Sequence, residues 1–256
     1  MKKNCEIRAN ACRALKGHWL SAVGCIFVFV LITLLFEAPS FIADAGTWMK
    51  AFGIYNSFSE MDGLAAVGRA SVLLILFFVV PLGFGLINVF LECVRGRQRG
   101  MTGTMFRIGF AENYWRGLGS MLLTYVYIFL WTLLLFIPGL VKAYSYSMTS
   151  YLVRDFPEMS VNECINMSRR MMKGRKFKLF LLDLSFIGWA LLCLLTAGIG
   201  TLWLFPYMYT SRAVFYEELR AGTELYGQTG KATADVRAEN ASGDGATTEP
   251  YDHNRY

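Results

Sequence analysis

The sequence has little of what catalytic and metal sites are built from. It holds only two histidines among 256 residues, His18 and His253, and no H-E-x-x-H or G-x-S-x-G motif occurs. Catalysis requires titratable groups that converge on one point, and the predicted spans offer little besides Asp183. We therefore predict that the chain is not an enzyme and that it holds no cofactor and no metal.

Two further classes of protein are excluded by the spacing of cysteines and charges. The six cysteines form no C-x-x-C pair, so neither a disulfide framework nor a zinc site is predicted. The net charge of +6 comes from short basic segments beside apolar runs, which is typical of membrane topology signals and not of nucleic-acid binding. The segment RGMTGTMFRIGF lacks the spacing of a phosphate-binding P-loop.

Long apolar runs are abundant. Hydrophobic residues make up 55% of the chain, and several uncharged runs approach the roughly 20 residues that cross a bilayer. In the second run, FVVPLGFG is assigned to close packing through small residues, with the lining of a pathway as the alternative. We predict an all-α polytopic membrane helix bundle over residues 1–220. Its six transmembrane helices are placed at about 19–42, 70–93, 117–137, 140–153, 177–195 and 201–219.

The run from Phe129 to Phe156 decides the topology. Basic residues flank it at Arg116 and from Arg154 onward, and the positive-inside rule places both flanks in the cytoplasm. Two inside ends require an even number of crossings. We predict two short helices joined at Pro138-Gly139, with Lys142 at the outer interface. A re-entrant hairpin is the alternative for the fourth helix.

The same rule places both termini in the cytoplasm. Residues 94–116 hold five arginines against one glutamate, and residues 154–178 are also strongly basic. Residues 43–69 carry more acidic than basic side chains and are expected outside. Their aromatic side chains suit a membrane interface: Trp48, Phe52, Tyr55 and Phe58. Residues 221–256 have few large aliphatic side chains and are predicted to be a disordered cytoplasmic tail.

Two shorter segments, 4–16 and 160–173, have the pattern of amphipathic cytoplasmic helices. The second begins with a capping box formed by Ser160 and Glu163. It is predicted to lie on the membrane or against the bundle, or to bind a protein partner at the cytoplasmic face. The residues assigned to this surface are Val161, Ile165, Arg169, Arg170 and Met172.

A carboxylate within the fifth span needs a partner, because an isolated charge in hydrocarbon is costly. Asp183 lies 15 residues before the turn near Gly198, and Arg212 lies 14 residues after it. An antiparallel hairpin therefore brings the two to similar depth. We predict that they pair directly or through a tyrosine hydroxyl, and that the pair either locks the hairpin or serves transport.

Three segments resemble the bacterial integral-membrane family called domain of unknown function 975. They are FIPGLVKAYSYSMTSYLVRD, SRRMMKGRKFKLFLLDLSFIGWALL and TAGIGTLWLFPYMYTSRAVFYEEL, and the amino-terminal ALKGHW is similar as well. The resemblance covers about residues 5–220 and implies a protein of the bacterial cytoplasmic membrane. The family has no established activity, so the resemblance assigns no catalytic residue.

Two functions fit these features. The first is a non-enzymatic accessory, scaffold or immunity-type component of the cytoplasmic membrane. The alternative is a small transporter or lipid-handling protein that uses a polar site near Asp183, and a polar cavity beside that residue would favour it. The lipid bilayer is an expected partner in both cases, and nucleic acid in neither.

Overall fold

The computed structural model describes residues 3–51, 72–97, 100–112, 114–196 and 198–222. All regular structure in these ranges is helical, which confirms the all-α prediction. The predicted aromatic belt lies outside the described side chains. Of the predicted disordered tail, 221–256, Ala221 is the last residue of the last helix, and residues 223–256 lie outside the described residues. The first compact unit ends at Tyr216, and the second is described only over the end of the last helix, where Arg220 pairs with Glu217 at 3.9 Å.

Eleven helices are numbered here in chain order over the described residues. They are α1 (Asn4–Leu15), α2 (Trp19–Ala51), α3 (Val80–Val94), α4 (Met101–Phe106), α5 (Tyr114–Leu134), α6 (Phe136–Tyr146), α7 (Thr149–Asp155), α8 (Val161–Met171), α9 (Lys176–Leu184), α10 (Ile187–Leu195) and α11 (Thr201–Ala221). A π-helical segment, Ile75–Val79, leads into α3, and another, Arg107–Ala111, continues α4.

Four helical stretches are long and apolar enough to cross a membrane. They are Trp19–Ala38, Val72–Val94, Tyr114–Leu134 and Lys176–Leu195. Large apolar side chains lie exposed along them, among them Leu35, Phe129 and Leu194. Exposed apolar surface of this extent is typical of a face turned towards lipid, so these stretches indicate a membrane protein.

The predicted spans at 140–153 and 201–219 are not among these four. The first is interrupted between α6 and α7, and neither piece reaches the length of a span. The second is a continuous helix, α11, but it contains Arg212, Glu217 and Glu218, which lower its mean hydropathy.

The turn between α5 and α6 lies at Leu135, so its predicted position at Pro138-Gly139 is wrong. Leu135 has extended backbone angles (φ −161°, ψ 136°). Pro138 instead sits in the first turn of α6, where a missing N–H leaves no helical hydrogen bond unmade. A Cβ on Gly139 would lie 2.7 Å from the Cα of Thr132. The glycine therefore permits close approach of the two helices.

Lys142 lies beside the basic residues at the end of α8 and the start of α9, whereas the predicted hairpin separates it from them. Its ammonium is 4.1 Å from the centre of the Trp131 ring, and it lines the same cleft as Arg169 and Lys176. Lys142 is only seven residues past Leu135, which corresponds to about 10 Å of helix. The tip of the α5–α6 hairpin is therefore close to the basic segment.

The arginine-rich segment after α3 folds back onto that helix instead of remaining a loop. A Cβ on Gly109 would lie 2.8 Å from the carbonyl oxygen of Pro81, and a Cβ on Gly85 would overlap the carbonyl oxygen of Met105. Only residues without a side chain allow backbones to approach this closely. The cluster FVVPLGFG thus packs against α4 and the π-helical segment that follows it.

The apolar faces of α1 and α8 are covered by the chain itself. Ile7, Ala11 and Leu15 of α1 are fully buried, and α1 packs against α3 and α9. In α8, Cys164 and Ile165 are buried, and the helix packs against α5, α6 and α7. The intramolecular contacts of these helices leave their polar faces exposed.

The start of α8 is fixed by a reciprocal cap, and its removal should have a modest effect. The Ser160 hydroxyl accepts a hydrogen bond from the Glu163 N–H at 3.3 Å, and the Glu163 carboxylate accepts one from the Ser160 N–H at 2.7 Å. We expect Ser160→Ala to lower the free energy of unfolding by about 1 kcal/mol. Detergent-induced unfolding followed by circular dichroism measures this.

Glu163→Gln is the matched control, because glutamine also completes a capping box. It should lose much less stability than Ser160→Ala. Equal losses in the two variants would show that the charge of Glu163, and not the cap, stabilises the start of α8.

Candidate functional site

A network of charged side chains joins α3 to α7. The carboxylate of Glu92, near the end of α3, accepts a hydrogen bond from Arg154 of α7 at 2.8 Å. Both side chains are largely buried, with exposed fractions of 8% and 16%. Arg97 approaches the same carboxylate at 3.7 Å. A buried carboxylate of this kind is tolerated because it is paired.

Asp155, the next residue of α7, forms a second ion pair, in which α7 supplies the acid and not the base. The Arg95 guanidinium donates to both carboxylate oxygens of Asp155, at 2.8 and 2.6 Å. The Tyr216 hydroxyl of α11 donates to the same carboxylate at 2.7 Å, and its ring stacks on Tyr151 at 4.9 Å between centroids. Asp155 therefore joins α3, α7 and α11 in one hydrogen-bonded network.

Arg116 holds the segment that leaves α7. Its guanidinium donates to the carbonyl oxygens of Pro157 at 2.5 Å, of Phe156 at 2.7 Å and of Met159. A cation is favourable at the end of a helix, where unpaired carbonyl groups give a partial negative charge. Arg116, which the positive-inside rule assigns to the cytoplasmic side, thus also stabilises the end of α7.

A cleft of about 1150 Å³ opens beside this network. Its wall contains the charged side chains Glu92, Arg97, Arg107, Glu112 and Arg154, together with His18. Arg107 and Glu112 form an ion pair at 3.2 Å, so several of its charges compensate one another. Among the described residues, no three His, Cys, Asp or Glu side chains are grouped as metal ligands.

Asp183 and Arg212 are in direct contact, as the hairpin geometry predicts. The Arg212 guanidinium donates to the two carboxylate oxygens of Asp183 at 3.1 and 2.8 Å, which ties α9 to α11. Tyr144 of α6 interacts with the same carboxylate. The Asp183 side chain is 14% exposed and that of Arg212 is 38% exposed. Over the described residues, neither side chain lines the cleft beside Glu92, the small cavity next to it, the groove beside Trp203 or the cleft beside Lys142.

The residues assigned to a partner surface on α8 divide into two groups. Ile165 and Met172 are buried in the chain, and Val161 is half-buried. Arg169 and Arg170 are exposed. The two buried residues are therefore not part of an exposed surface, because the apolar face of α8 is already packed.

An aromatic groove lies between α1, the start of α2, α10 and α11. It has a volume of about 520 Å³, and its wall includes Trp19, Trp189 and Trp203. Among the described residues of this wall, Arg8 is the one that carries a charge. Its guanidinium lies 5.4 Å from the Phe186 ring and donates to the Tyr207 hydroxyl at 3.1 Å. Sequence patterning did not identify this groove, because its residues come from distant parts of the chain.

A smaller cavity, of about 250 Å³, adjoins the network between α3 and α7. Arg95, Asp155 and Glu92 contribute to its wall. Sequence patterning does not predict this grouping, since Arg95 and Asp155 belong to two separate charged segments, residues 94–116 and 154–178. The signal that could reveal this grouping is the presence of acidic and basic residues at the ends of two helices that face each other.

Comparison with known proteins gives one match. The model of a family described as Protein of unknown function (DUF975) matches residues 132–223, which confirms the resemblance over that part of the chain. No curated protein and no solved structure matches. The matched residues include Arg154 and Asp155 of α7 and the pair Asp183–Arg212.

Proposed function

We propose that this chain is a multi-pass protein of a bacterial cytoplasmic membrane that acts without catalysis, as an accessory, scaffold or immunity-type component. The observation that carries the proposal is the pairing of its buried charges. Glu92 with Arg154, Asp155 with Arg95, and Asp183 with Arg212 each join two different helices.

Paired charges favour this role over catalysis or transport. A charged side chain within a membrane segment is costly and often marks a proton or substrate path. Here the carboxylates accept hydrogen bonds from arginines of neighbouring helices, so their main effect is to fix helix positions. The Asp183 carboxylate makes this contact without lining a described cleft.

The proposal is tested by isolating the full chain from its native membrane in polymer nanodiscs, without detergent. We expect a second membrane protein at fixed stoichiometry, measured by mass photometry and quantitative mass spectrometry. An unrelated multi-pass protein isolated in the same way is the control for chance neighbours. Recovery of the chain with lipid alone would contradict an accessory role.

The aromatic groove favours a second candidate, the handling of lipid. Three tryptophans and Arg8 give the groove an apolar wall with a single cation, a combination that suits a lipid chain and a polar headgroup. Reconstitution of the full chain in vesicles tests this candidate. Faster movement of a headgroup-labelled phospholipid between leaflets would support it, and a rate equal to that of empty vesicles would contradict it.

For the topology, the position of Lys142 favours the re-entrant form of the α5–α6 hairpin. The predicted arrangement places the basic residues 154–178, which include the neighbours of Lys142, at the cytoplasmic surface. Measured along α6, Leu135 then lies about 10 Å from that level, whereas the 21 residues of α5 are long enough to cross a hydrocarbon core of about 30 Å. Both termini are proposed to be cytoplasmic.

Thiol labelling of intact cells checks this topology. Cys5 and Cys12 are exposed, whereas Cys25, Cys93, Cys164 and Cys193 are buried. Burial also raises the pKa of the Cys164 thiol, which slows its reaction further because the thiolate is the reactive form. With a membrane-impermeant maleimide, we expect Cys5 and Cys12 to react only after the cells are permeabilised.

Two introduced cysteines locate the hairpin tips in a Cys5→Ser/Cys12→Ser background. Ile199→Cys, in the turn before α11, should react from outside in intact cells if that hairpin crosses. Leu135→Cys should stay unreactive if the α5–α6 hairpin is re-entrant. Labelling of Leu135→Cys from outside would instead support six crossings.

A further inference from the structure

Five basic side chains converge on one cleft between α6, α8 and α9. The cleft has a volume of about 480 Å³, and Ser145 and Asn166 add neutral polar groups to its wall. Its basic residues are Lys142, Arg169, Arg170, Lys173 and Lys176. None of the described residues in this wall carries a carboxylate.

The positive charges of this basic cleft are uncompensated within the described chain. The ion pairs of Glu92, Asp155 and Asp183 are made with arginines elsewhere, and none of the five basic side chains pairs with a described carboxylate. Like charges held together in a cleft repel one another. A bound anion would remove this repulsion, which is the physical reason to expect one.

The local structure holds these side chains towards the cleft. Gly174 has a positive φ of 75°, which permits the tight turn that places Lys173 and Lys176 on the same side. Lys142 is held against the ring of Trp131 at 4.1 Å. Arg169 donates to the Asn166 side chain at 3.1 Å, which orients its guanidinium.

The surroundings of the basic cleft indicate an anion with a hydrophobic part. Lys176 is the first residue of a stretch that is long and apolar enough to cross a membrane, so the cleft lies at the polar end of that stretch. Val141 and Phe177, next to Lys142 and Lys176 in sequence, are 46% and 68% exposed. An amphiphile can therefore place its headgroup in the cleft and its chains along these residues.

From these observations we propose that the basic cleft binds the phosphate of an anionic phospholipid headgroup from the surrounding bilayer. Arginine forms bidentate hydrogen bonds to phosphate oxygens, and basic pockets between membrane helices bind anionic headgroups. A free phosphate ion shares this chemistry but lacks the chains that Val141 and Phe177 would contact. The proposal is independent of whether a protein partner exists.

Native mass spectrometry of the full chain in detergent tests the proposal. Phosphatidylglycerol is titrated against phosphatidylcholine, and inorganic phosphate is added as a separate competitor. We expect Lys142→Gln/Arg170→Gln/Lys173→Gln to weaken phosphatidylglycerol binding by roughly a hundredfold, since each of the three basic groups contributes roughly a fivefold change near an anionic surface. Phosphatidylcholine binding should stay unchanged.

The matched control is Lys3→Gln/Arg13→Gln/Lys16→Gln, which removes three exposed charges from α1 and the two residues that flank it. It should keep the affinity of the unmodified chain, and Arg170→Lys should keep most of it. Both triple variants are compared for monodispersity, and the single variant Arg170→Gln replaces the cleft triple if that one does not fold. Equal weakening in the control and cleft variants would overturn the proposal. Complete displacement of lipid by millimolar phosphate would overturn the assignment to a headgroup.

Discussion

The Asp183→Asn variant is expected to lose about 3 kcal/mol of unfolding free energy. The substitution keeps the shape of the side chain but leaves the Arg212 guanidinium without its counter-charge. Removing one partner of a buried ion pair leaves an uncompensated charge in a poorly solvated place, which is why the loss is large. We place it at the lower end of the usual range because the Arg212 side chain is 38% exposed.

Unfolding of the full chain in mixed micelles, titrated with SDS and followed by circular dichroism, measures this loss. A double-mutant cycle with Arg212→Gln separates the pair from its surroundings. The double variant Asp183→Asn/Arg212→Gln should be destabilised by less than the sum of the two single variants. Strict additivity would mean that the contact between the two side chains contributes nothing to stability.

A second large effect is expected where α4 meets α3. Gly85→Ala would place a methyl group inside the van der Waals radius of the Met105 carbonyl oxygen. The obstacle is backbone and not the end of a flexible side chain, so the two segments must separate. We expect a loss of about 3 kcal/mol, at the upper end of the cost of overpacking. The same unfolding titration applies.

Gly83→Ala is the control from the same helix. Its new methyl group would meet only the Phe29 ring, at 4.0 Å, which is ordinary contact. No loss is expected, and the better helix propensity of alanine can add up to about 1 kcal/mol. A similar loss at both positions would mean that α3 rejects alanine for reasons other than contact with α4.

Hydrophobic runs and charge placement were sufficient to predict the all-helical class and the position of several helices. The capping box at Ser160 was also predictable, because it depends on residues three apart in sequence. The Asp183–Arg212 contact followed from one turn and the symmetry of a hairpin. These features are all governed by local sequence or by a single reversal of the chain.

Features that depend on several distant segments were not predictable in this way. Pro138-Gly139 is a strong turn signal, yet the chain turns at Leu135 because Gly139 is used for contact with Thr132. Lys142 was placed by its distance from the expected turn, so that error moved it away from the basic cleft. The bridges from α7 to α3 require knowledge of which helices are neighbours, which no periodicity supplies.

The order of charges on α3 and α7 has a consequence for how the chain assembles. At the end of α3 an acid, Glu92, precedes a base, Arg95, which directly follows the helix, whereas along α7 a base, Arg154, precedes an acid, Asp155. Apolar helices slide past one another in lipid with little discrimination, since every depth offers similar hydrocarbon contacts. A shift of α7 along α3 that brought Arg154 level with Arg95 would oppose two like charges and leave Glu92 without its partner. The two ion pairs therefore favour a single alignment of α3 and α7 while the protein folds.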